Sequence, residues 1–557
     1  MRVSRLALGI RFSDSVSYAW GLGFACVLSL AAAPAPVVTF EDVTARAGVS
    51  FKHTFGDRRL SSLVEATGVG CALLDYDQDG WLDLYLVSGC RLPGLSDPPP
   101  MGEALSHSTD RLYRNRRDGT FEDVTAKAGI LPGGYGIGVL VGDYDNDGYP
   151  DLYVSHYGTN RLYHNNRNGT FAECAREAGV AETGFSVGAA FLDYDNDGDL
   201  DLFVGKYVEY DDNYNRQHGK VDNFPGPLAY PPSLSQLFRN LGNGRFTNVT
   251  AAAGIKAPGR AMGVGSFDYD EDGWPDLFVS NDAMENHLLH NRGDGTFKEE
   301  ALMVGLALGA MGEATGAMAV ETGDVNGDER IDLYVPDFTQ SCLYVNMGKG
   351  FFDNQTLAAG ITRIVGDHIQ WGAALADLDL DGDLDLYVSR GDANSLAGYD
   401  DKLLLNDGRA RFTDVSNTAG PWFKQQARLG RGVARGDFDN DGRIDLLVAN
   451  LNDAPVLLRN TTPRVDRHWL MLKLVGQTSN RDGVGARVRC ITRGAVQVRE
   501  RVSGGSYCCS HDPRVHFGLV HAAVVSELEI RWPSRRVQKL TNVNADQLLT
   551  VLEPNPD

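Results

Sequence analysis

Seven stretches of this chain place acidic residues at positions 1, 3, 5 and 9 of a short loop. The clearest is DYDNDGYPDLYV, Asp143 to Val154, with carboxylates at Asp143, Asp145, Asp147 and Asp151 and Gly148 at position 6. The first copy holds Asp75, Asp77, Asp79 and Asp83, and the third holds Asp193, Asp195, Asp197 and Asp201. The fourth holds Asp268, Asp270, Asp272 and Asp276. The sixth holds Asp377, Asp379, Asp381 and Asp385, and the seventh Asp437, Asp439, Asp441 and Asp445. The fifth reads Asp324, Asn326, Asp328 and Asp332. Carboxylates two residues apart on a tightly curving loop turn toward one point. Such an oxygen cage suits a hard cation, and Ca²⁺ takes about six to eight oxygen ligands. Crowded carboxylates repel one another when no cation is present. The expectation is up to seven Ca²⁺ ions, one per loop.

An EF-hand opens the same way but needs a Glu at position 12 and flanking helices. Position 12 here is Val154, inside the strand-like Leu152–Val154. The loop therefore joins two strands. Asp-Gly also makes ordinary hairpin turns, but seven acidic copies go beyond what a turn requires. In the fifth copy Glu329 replaces the position-6 Gly, with a glycine earlier in the loop at Gly327. That loop is expected to curve differently and to bind least tightly.

The loops need strands to hold them, and a second phrase supplies these. LYRNRRDGTFEDVTAKAGI, Leu112 to Ile130, reads as a hairpin followed by a short helical turn opened by Thr and closed by Gly. Related copies start at Leu162, Leu237, Leu288, Leu343 and Leu403. One unit then has four strands, with the acidic loop between the first and second. Gly70, Gly138, Gly188, Gly263, Gly372 and Gly432 each precede a loop by five residues. A small residue there suits an inner strand crowded at a central axis. Units of this kind describe propeller blades. The chain starts with a lone FEDVT strand at Phe40, and its last unit stops at Leu457–Asn460 without one. The two halves make one blade, so the ring closes at seven. An open solenoid would need capped ends instead.

The formal net charge is −22, and the acidic loops account for most of it. That balance argues against nucleic acid as the main partner. Arg2, Arg5 and Arg11 precede an apolar stretch from Val16 to Ala33. This reads as a signal peptide over residues 1–33 and a secreted, periplasmic or cell-surface protein. A membrane is involved only if that segment stays as an uncleaved anchor. Residues 34–463 form the propeller. From Arg464 the sequence turns basic and alternates apolar with polar residues, as in SELEIRW. Residues 464–557 are therefore expected to form a small β-sandwich or barrel. That basic tail either docks on the acidic propeller or meets an acidic partner.

Of eight cysteines, Cys26 leaves with the signal. Cys71 with Cys90, and Cys490 with Cys508 or Cys509, are possible pairs, and sequence leaves the connectivity open. His53, His156, His218 and His368 show no ligand spacing. The longest insertion, Gly205 to Ser235, carries Tyr207, Tyr210, Tyr214 and Tyr230 beside acidic residues. Exposed Tyr is a common interface anchor. Other insertions run from Ser88 to Asp110 and from Ser389 to Lys402, the latter containing Arg390-Gly391-Asp392, a potential adhesion tripeptide.

The DxDxDGxxDL copies resemble the FG-GAP/VCBS repeats also found in integrin α-chain propellers. NRDGVGARV at Asn480–Val488, SGGSY at Ser503–Tyr507, DPRVHFGL at Asp512–Leu519 and RWPS at Arg531–Ser534 resemble the ASPIC/UnbV domain. Together they resemble the cartilage acidic protein family and its bacterial relatives. The resemblance implies an all-β chain, a seven-bladed calcium-loop propeller with a small C-terminal β domain, outside the cell. Glu329 and Cys508-Cys509 depart from the pattern; small or polar residues are expected at the two cysteines. There is no nucleophile elbow, HExxH or phosphate loop. The expectation is an interaction or adhesion scaffold, not an enzyme, that binds a protein or glycan through blade-joining loops. The alternative is a propeller-face enzyme or accessory protein in carbohydrate processing or secondary metabolism.

Overall fold

Short alternating segments build seven four-stranded antiparallel sheets in the ring, between Phe40 and Asn460. The computed structural model describes residues 38–96, 109–220, 223–366, 368–425 and 427–555. The signal segment expected over residues 1–33 lies outside them, as do residues 97–108 of one insertion. In the second blade the inner strand is Tyr135–Gly142, followed by Asp151–Tyr157, Arg161–Asn165 and the outer Phe171–Glu173. The acidic loop joins the first two of these. The seventh blade is composite. Phe40–Asp42 pairs with Val456–Asn460, with Phe40 opposite Asn460 and Asp42 opposite Leu458. This is the pairing that the two half-units imply.

The last residue of each third strand is an Asn that ties neighbouring blades together. Asn165 donates from Nδ2 to the Tyr76 carbonyl of the preceding blade at 2.9 Å. Asn115 of the first blade does the same to Phe438 of the seventh at 2.9 Å. The ring is thus joined from its last sheet back to its first, and the chain is an all-β propeller.

Two local expectations change. The Thr of the FxDVT phrase caps a strand more than it opens a helix. Thr125 Oγ1 accepts the Leu112 N–H at 3.0 Å, and Thr44 Oγ1 accepts that of Leu457 at 2.8 Å. The following residues form mostly turns, with helices at Ala175–Ala178 and Ala301–Val304 that end on left-handed Gly179 and Gly305. The Gly205–Ser235 insertion is also not a free arm. Tyr207 and Tyr230 are buried in a cluster with Phe185, Met262 and Trp371. Only Tyr214 of the four tyrosines is exposed. Excising residues 208–233 would strip part of the core, so the insertion is a lid on the ring.

The tail forms two sheets. His468–Val475 lies between Val515–Val520 and Gln547–Leu552. Val496–Glu500, Arg487–Ile491, Val524–Arg531 and Val537–Asn544 make the other. Leu470, Val488, Phe517, Leu528 and Trp532 fill the space between, which makes it a sandwich. Tail and ring belong to one compact unit.

Between the sheets the tail sends a segment into the axis of the ring. Ser510 pairs in parallel with Ala72, taking the Cys71 carbonyl at 3.1 Å and receiving the Leu73 N–H at 3.1 Å. The Cys508 carbonyl accepts Val139 N–H at 3.1 Å, and Ser506 Oγ accepts Ala373 N–H at 3.1 Å. The inner-strand glycines now have a physical reason. A Cβ on Gly70 would lie 2.1 Å from the Cys508 carbonyl oxygen, and one on Gly432 would lie 2.3 Å from Cys509 Sγ. The cavity beside Gly505, Ser506, Cys508 and Cys509 is about 10 Å³, room for one water at most. The cysteines that break the family pattern are small apolar residues that fit a filled axis.

Candidate metal loops

Each acidic loop is held in shape by its own carboxylates. The first Asp accepts the N–H of position 5 on one oxygen and that of position 6 on the other. For Asp143 these bonds are 2.9 Å from Asp147 and 2.7 Å from Gly148. The position-5 Asp accepts the N–H of position 7, as Asp147 does from Tyr149 at 2.9 Å. The position-9 Asp is fully buried and ties the loop to the sheet. Asp151 accepts Tyr144 N–H at 3.2 Å and Asn165 N–H at 2.7 Å. The same bonds recur in the other copies, for instance at Asp201 and Asp445. Every one of these oxygens keeps a second lone pair for a ligand.

The fifth loop does not curve differently. Glu329 has φ +69° and donates its N–H to Asp324 Oδ2 at 2.9 Å, as the glycines do elsewhere. Gly327 answers to position 4, where the other loops also have positive φ, from Asn196 at 53° to Glu271 at 66°. The glycine has moved from one left-handed position to the other. A side chain in that region costs about 1–2 kcal/mol, so one strain is exchanged for another.

The cages bring the sequence-predicted ligands together. Asp75, Asp77 and Asp83 have oxygens within 4.8 Å of one another, as do Asp143, Asp145 and Asp147, and Asp193, Asp195 and Asp197. The position-3 oxygens fit a cation best. Oδ1 of Asp77, of Asp195 and of Asp439 is buried with no hydrogen-bond partner. A bound cation would supply the missing partner. Burial pushes the carboxyls up, Asp193 and Asp151 to about 7. Asp143 rises to about 9, from burial first and then from the tail's Asp482 beside it. A divalent ion would hold these groups ionised.

Sequence reasoning missed the residue just before the bridging Asn, which is Arg or His in five of the seven blades. Arg114 reaches Asp77 at 2.7 Å, Arg239 reaches Asp195 at 3.0 Å and Arg459 reaches Asp439 at 2.6 Å. His164 lies 3.3 Å from Asp145, and His290 lies 3.1 Å from Asp276. Side-chain cations therefore offset part of the repulsion between carboxylates. The variable letter in LYxN was the available signal. His53 and His156 are buried, and His218 and His368 stack on Tyr214 and Tyr399. Arg390 is also buried, bonded to the Val365 and Asp400 carbonyls, so the Arg-Gly-Asp tripeptide is not displayed.

The tail covers this side of the ring and touches every loop. Lys473 Nζ donates to Gln78 at 2.7 Å, and Arg481 N–H to Asn146 at 2.7 Å. A Cβ on Gly198 would meet the Thr478 carbonyl at 2.8 Å. Arg487 pairs with Glu271 at 2.9 Å, Arg489 with Glu329 at 2.7 Å and Arg467 with Asp379 at 3.5 Å. Arg514 donates to Asn440 and to the Asp437 carbonyl, both at 2.7 Å. At the axis His511 Nδ1 accepts Arg435 N–H at 3.1 Å, so its Nε2–H donates to the buried Glu321 at 2.7 Å. Burial would raise Glu321, but His511 and Arg435 hold its carboxyl below the ordinary range. The basic tail thus docks on the acidic loops.

Ring, loops and tail together define a β-propeller of acidic-loop repeats with a C-terminal sandwich. A family profile described as FG-GAP-like repeat matches residues 75–154, 143–204, 228–279, 268–335 and 324–388, more than half of the chain. The ASPIC and UnbV profile matches residues 476–557. The chain belongs to the FG-GAP-like repeat family and carries a C-terminal ASPIC and UnbV domain. It is 27% identical over 342 residues to cartilage acidic protein 1 of Homo sapiens, covering 58% of this chain and 48% of that protein. Against cartilage acidic protein 1 of Xenopus tropicalis it is 25% identical over 344 residues, covering 58% and 50%. The chain spans about half the length of these relatives. Among solved structures, YCF48 bound to a D1 peptide aligns with TM-score 0.40 and 8% identity, over 74% of this chain and 99% of that one. An Agrocybe aegerita lectin recognising non-reducing terminal N-acetylglucosamine aligns with TM-score 0.38 and 16% identity, over 64% and 89%.

Proposed function

We propose that this chain is an exported, calcium-binding scaffold that recognises a protein or glycan through loops on the side of the ring away from the metal loops. In this reading a signal occupies residues 1–33, the propeller 34–463 and the tail 464–557. The observation that supports it is the division of the ring into two ends. The sandwich occupies the loop end. Antiparallel neighbours put the connection between second and third strands at the other end. Exposed apolar side chains gather on those connections: Tyr214, Leu228, Phe338 and Leu396. The recurring polar residues have duties in the loops, the blade bridges and the tail contacts, and we read the chain as non-enzymatic. Export rests on the Arg-flanked apolar start, and Ca²⁺ sites of extracellular modules work at the high concentrations found outside cells. Among the described residues no helix is long and apolar enough to cross a membrane.

Glycan arrays and pull-down of surface or matrix proteins give the test. A variant with Tyr214→Ser, Leu228→Ser and Leu396→Ser is expected to keep its near-ultraviolet circular dichroism and lose binding at least about tenfold. Undiminished binding would remove the loop assignment. Equilibrium dialysis with Ca²⁺ is expected to load several ions per chain, and none bound at millimolar Ca²⁺ would remove the metal reading.

A further inference from the structure

None of the pairs that the sequence leaves open, Cys71 with Cys90 or Cys490 with Cys508 or Cys509, is closed. All seven described cysteines are free thiols, and Cys90 sits in a loop beside Gly56. Cys71 on the innermost strand of the first blade instead faces Cys509 on the axial segment. Their Sγ atoms are 3.5 Å apart, and Cys71 N–H donates to Cys509 Sγ at 3.3 Å. Both residues are buried. The backbones beside them are already paired, since Ala72 and Ser510 form a parallel bridge. Adjacent strands lie about 4.8 Å apart. That separation falls within the roughly 4.4–6.8 Å between Cα atoms that a disulfide spans. Cys508, in a turn with φ +59°, faces the other way, with its Cβ toward Gly138.

We propose that Cys71 and Cys509 form a disulfide that fastens the axial segment of the tail to the first blade. The oxidant is a disulfide-bearing oxidoreductase or a small-molecule disulfide. One cysteine thiolate attacks it, giving a mixed disulfide and releasing one thiolate. The second cysteine thiolate attacks the protein sulfur of that mixed disulfide and releases the other. Net, the two cysteines give up two protons and two electrons, and the oxidant's disulfide becomes two thiols. Burial raises the Cys71 thiol well above its ordinary value, which keeps it protonated once the segment is seated. Exchange therefore runs while the segment is entering the ring.

In the cell the bond rests on the exported setting proposed above, but its geometry does not. The full chain is purified reduced, unfolded, and refolded with glutathione disulfide. It is then alkylated in denaturant, digested without reductant and sequenced by fragment ions. The expected product joins the Cys71 and Cys509 peptides, is lighter by two hydrogens, and separates with dithiothreitol. Free alkylated Cys71 and Cys509, or a Cys71–Cys90 or Cys71–Cys508 link, would overturn the proposal. As a second measurement, dithiothreitol is expected to lower Tm of the oxidised wild type by about 5 °C and leave Cys71→Ser and Cys509→Ser unmoved. An equal drop in those variants, or none in the wild type, also counts against it. If the link forms in the tube but is missing from protein recovered from cells, the export reading fails and the pairing stands.

Discussion

The two ends of the ring are closed by different means. At the end away from the acidic loops, chain connections fold over the axis with Phe55, Leu60, Phe185, Tyr207, Tyr230 and Trp371. That lid is mostly apolar, with a few buried polar groups such as Glu65, Asp282 and Arg431 among the rings. At the loop end the tail closes the ring with guanidinium, imidazole and carboxylate groups aimed at particular backbone atoms. Those contacts depend on loops whose charge would change on binding a cation. The mostly apolar lid holds whatever the charge of the loops, while the polar clasp ties the tail to their state.

Removing the cation should separate the two ends most clearly. Each site filled at a hundred times its Kd stabilises by about 2.7 kcal/mol, and several sites add. Excess chelator is expected to lower Tm by more than any single substitution below. Hydrogen exchange should rise first in the tail strands and in Asp145–Gly148, and least around Tyr207. Uniform loosening would show that the ends are not independent. Tyr207→Ala strikes the lid. It removes a buried ring and leaves Asp282, its 2.5 Å partner, alone. The expected loss is about 4 kcal/mol in urea titration, the same with or without chelator. His511→Leu strikes the clasp and leaves buried Glu321 only Arg435 at 3.7 Å and the Leu375 N–H at 3.1 Å, at about 3 kcal/mol. Adding Glu321→Leu should recover most of that, because an apolar pair replaces the ion-bearing one.

A pH measurement sharpens the lid. Glu65 is buried there, and burial first, offset by Ser61, pushes its carboxyl up to about 7 from 4.5. Its folded value lies above the unfolded one, so its contribution is fully present below pH 4.5. It is lost as pH rises through 7. The slope amounts to at most about 3 kcal/mol, and Glu65→Gln should flatten it. The smallest effect belongs to Arg489→Ala at the rim. Its Glu329 partner is 40% exposed, so less than about 1 kcal/mol is expected, vanishing in high salt.

The acidic cages and the composite blade were legible because their information is local. Ligand spacing, the left-handed glycine and strand alternation each sit within about ten residues. The Asn bridges were not, since Asn115 meets Phe438 of the adjacent seventh blade, 323 residues away in sequence. The fifth loop misled because two of its positions need positive φ, and only one was counted. Tyr207 and Tyr230 looked like exposed anchors because nothing in a loop's own sequence says whether it lies over an axis. The axial segment was hidden for the same reason. SGGSYCC has no period, and its surroundings come from blades hundreds of residues away.

The pairing of Phe40–Asp42 with Val456–Asn460 also has a consequence in time. The outer strand of the last blade is made long before its partners and must wait until those near residue 460 exist. Contacts so distant in sequence are slow to form. Until they do, the edge of Val456–Asn460 stays unpaired and open to the wrong strand. The axial segment, around Ser510, emerges later still. It bonds to the first, second, sixth and seventh blades at once, and a ring short of a blade would not offer it those partners. Seating of the tail therefore needs a complete ring and reports that it has closed.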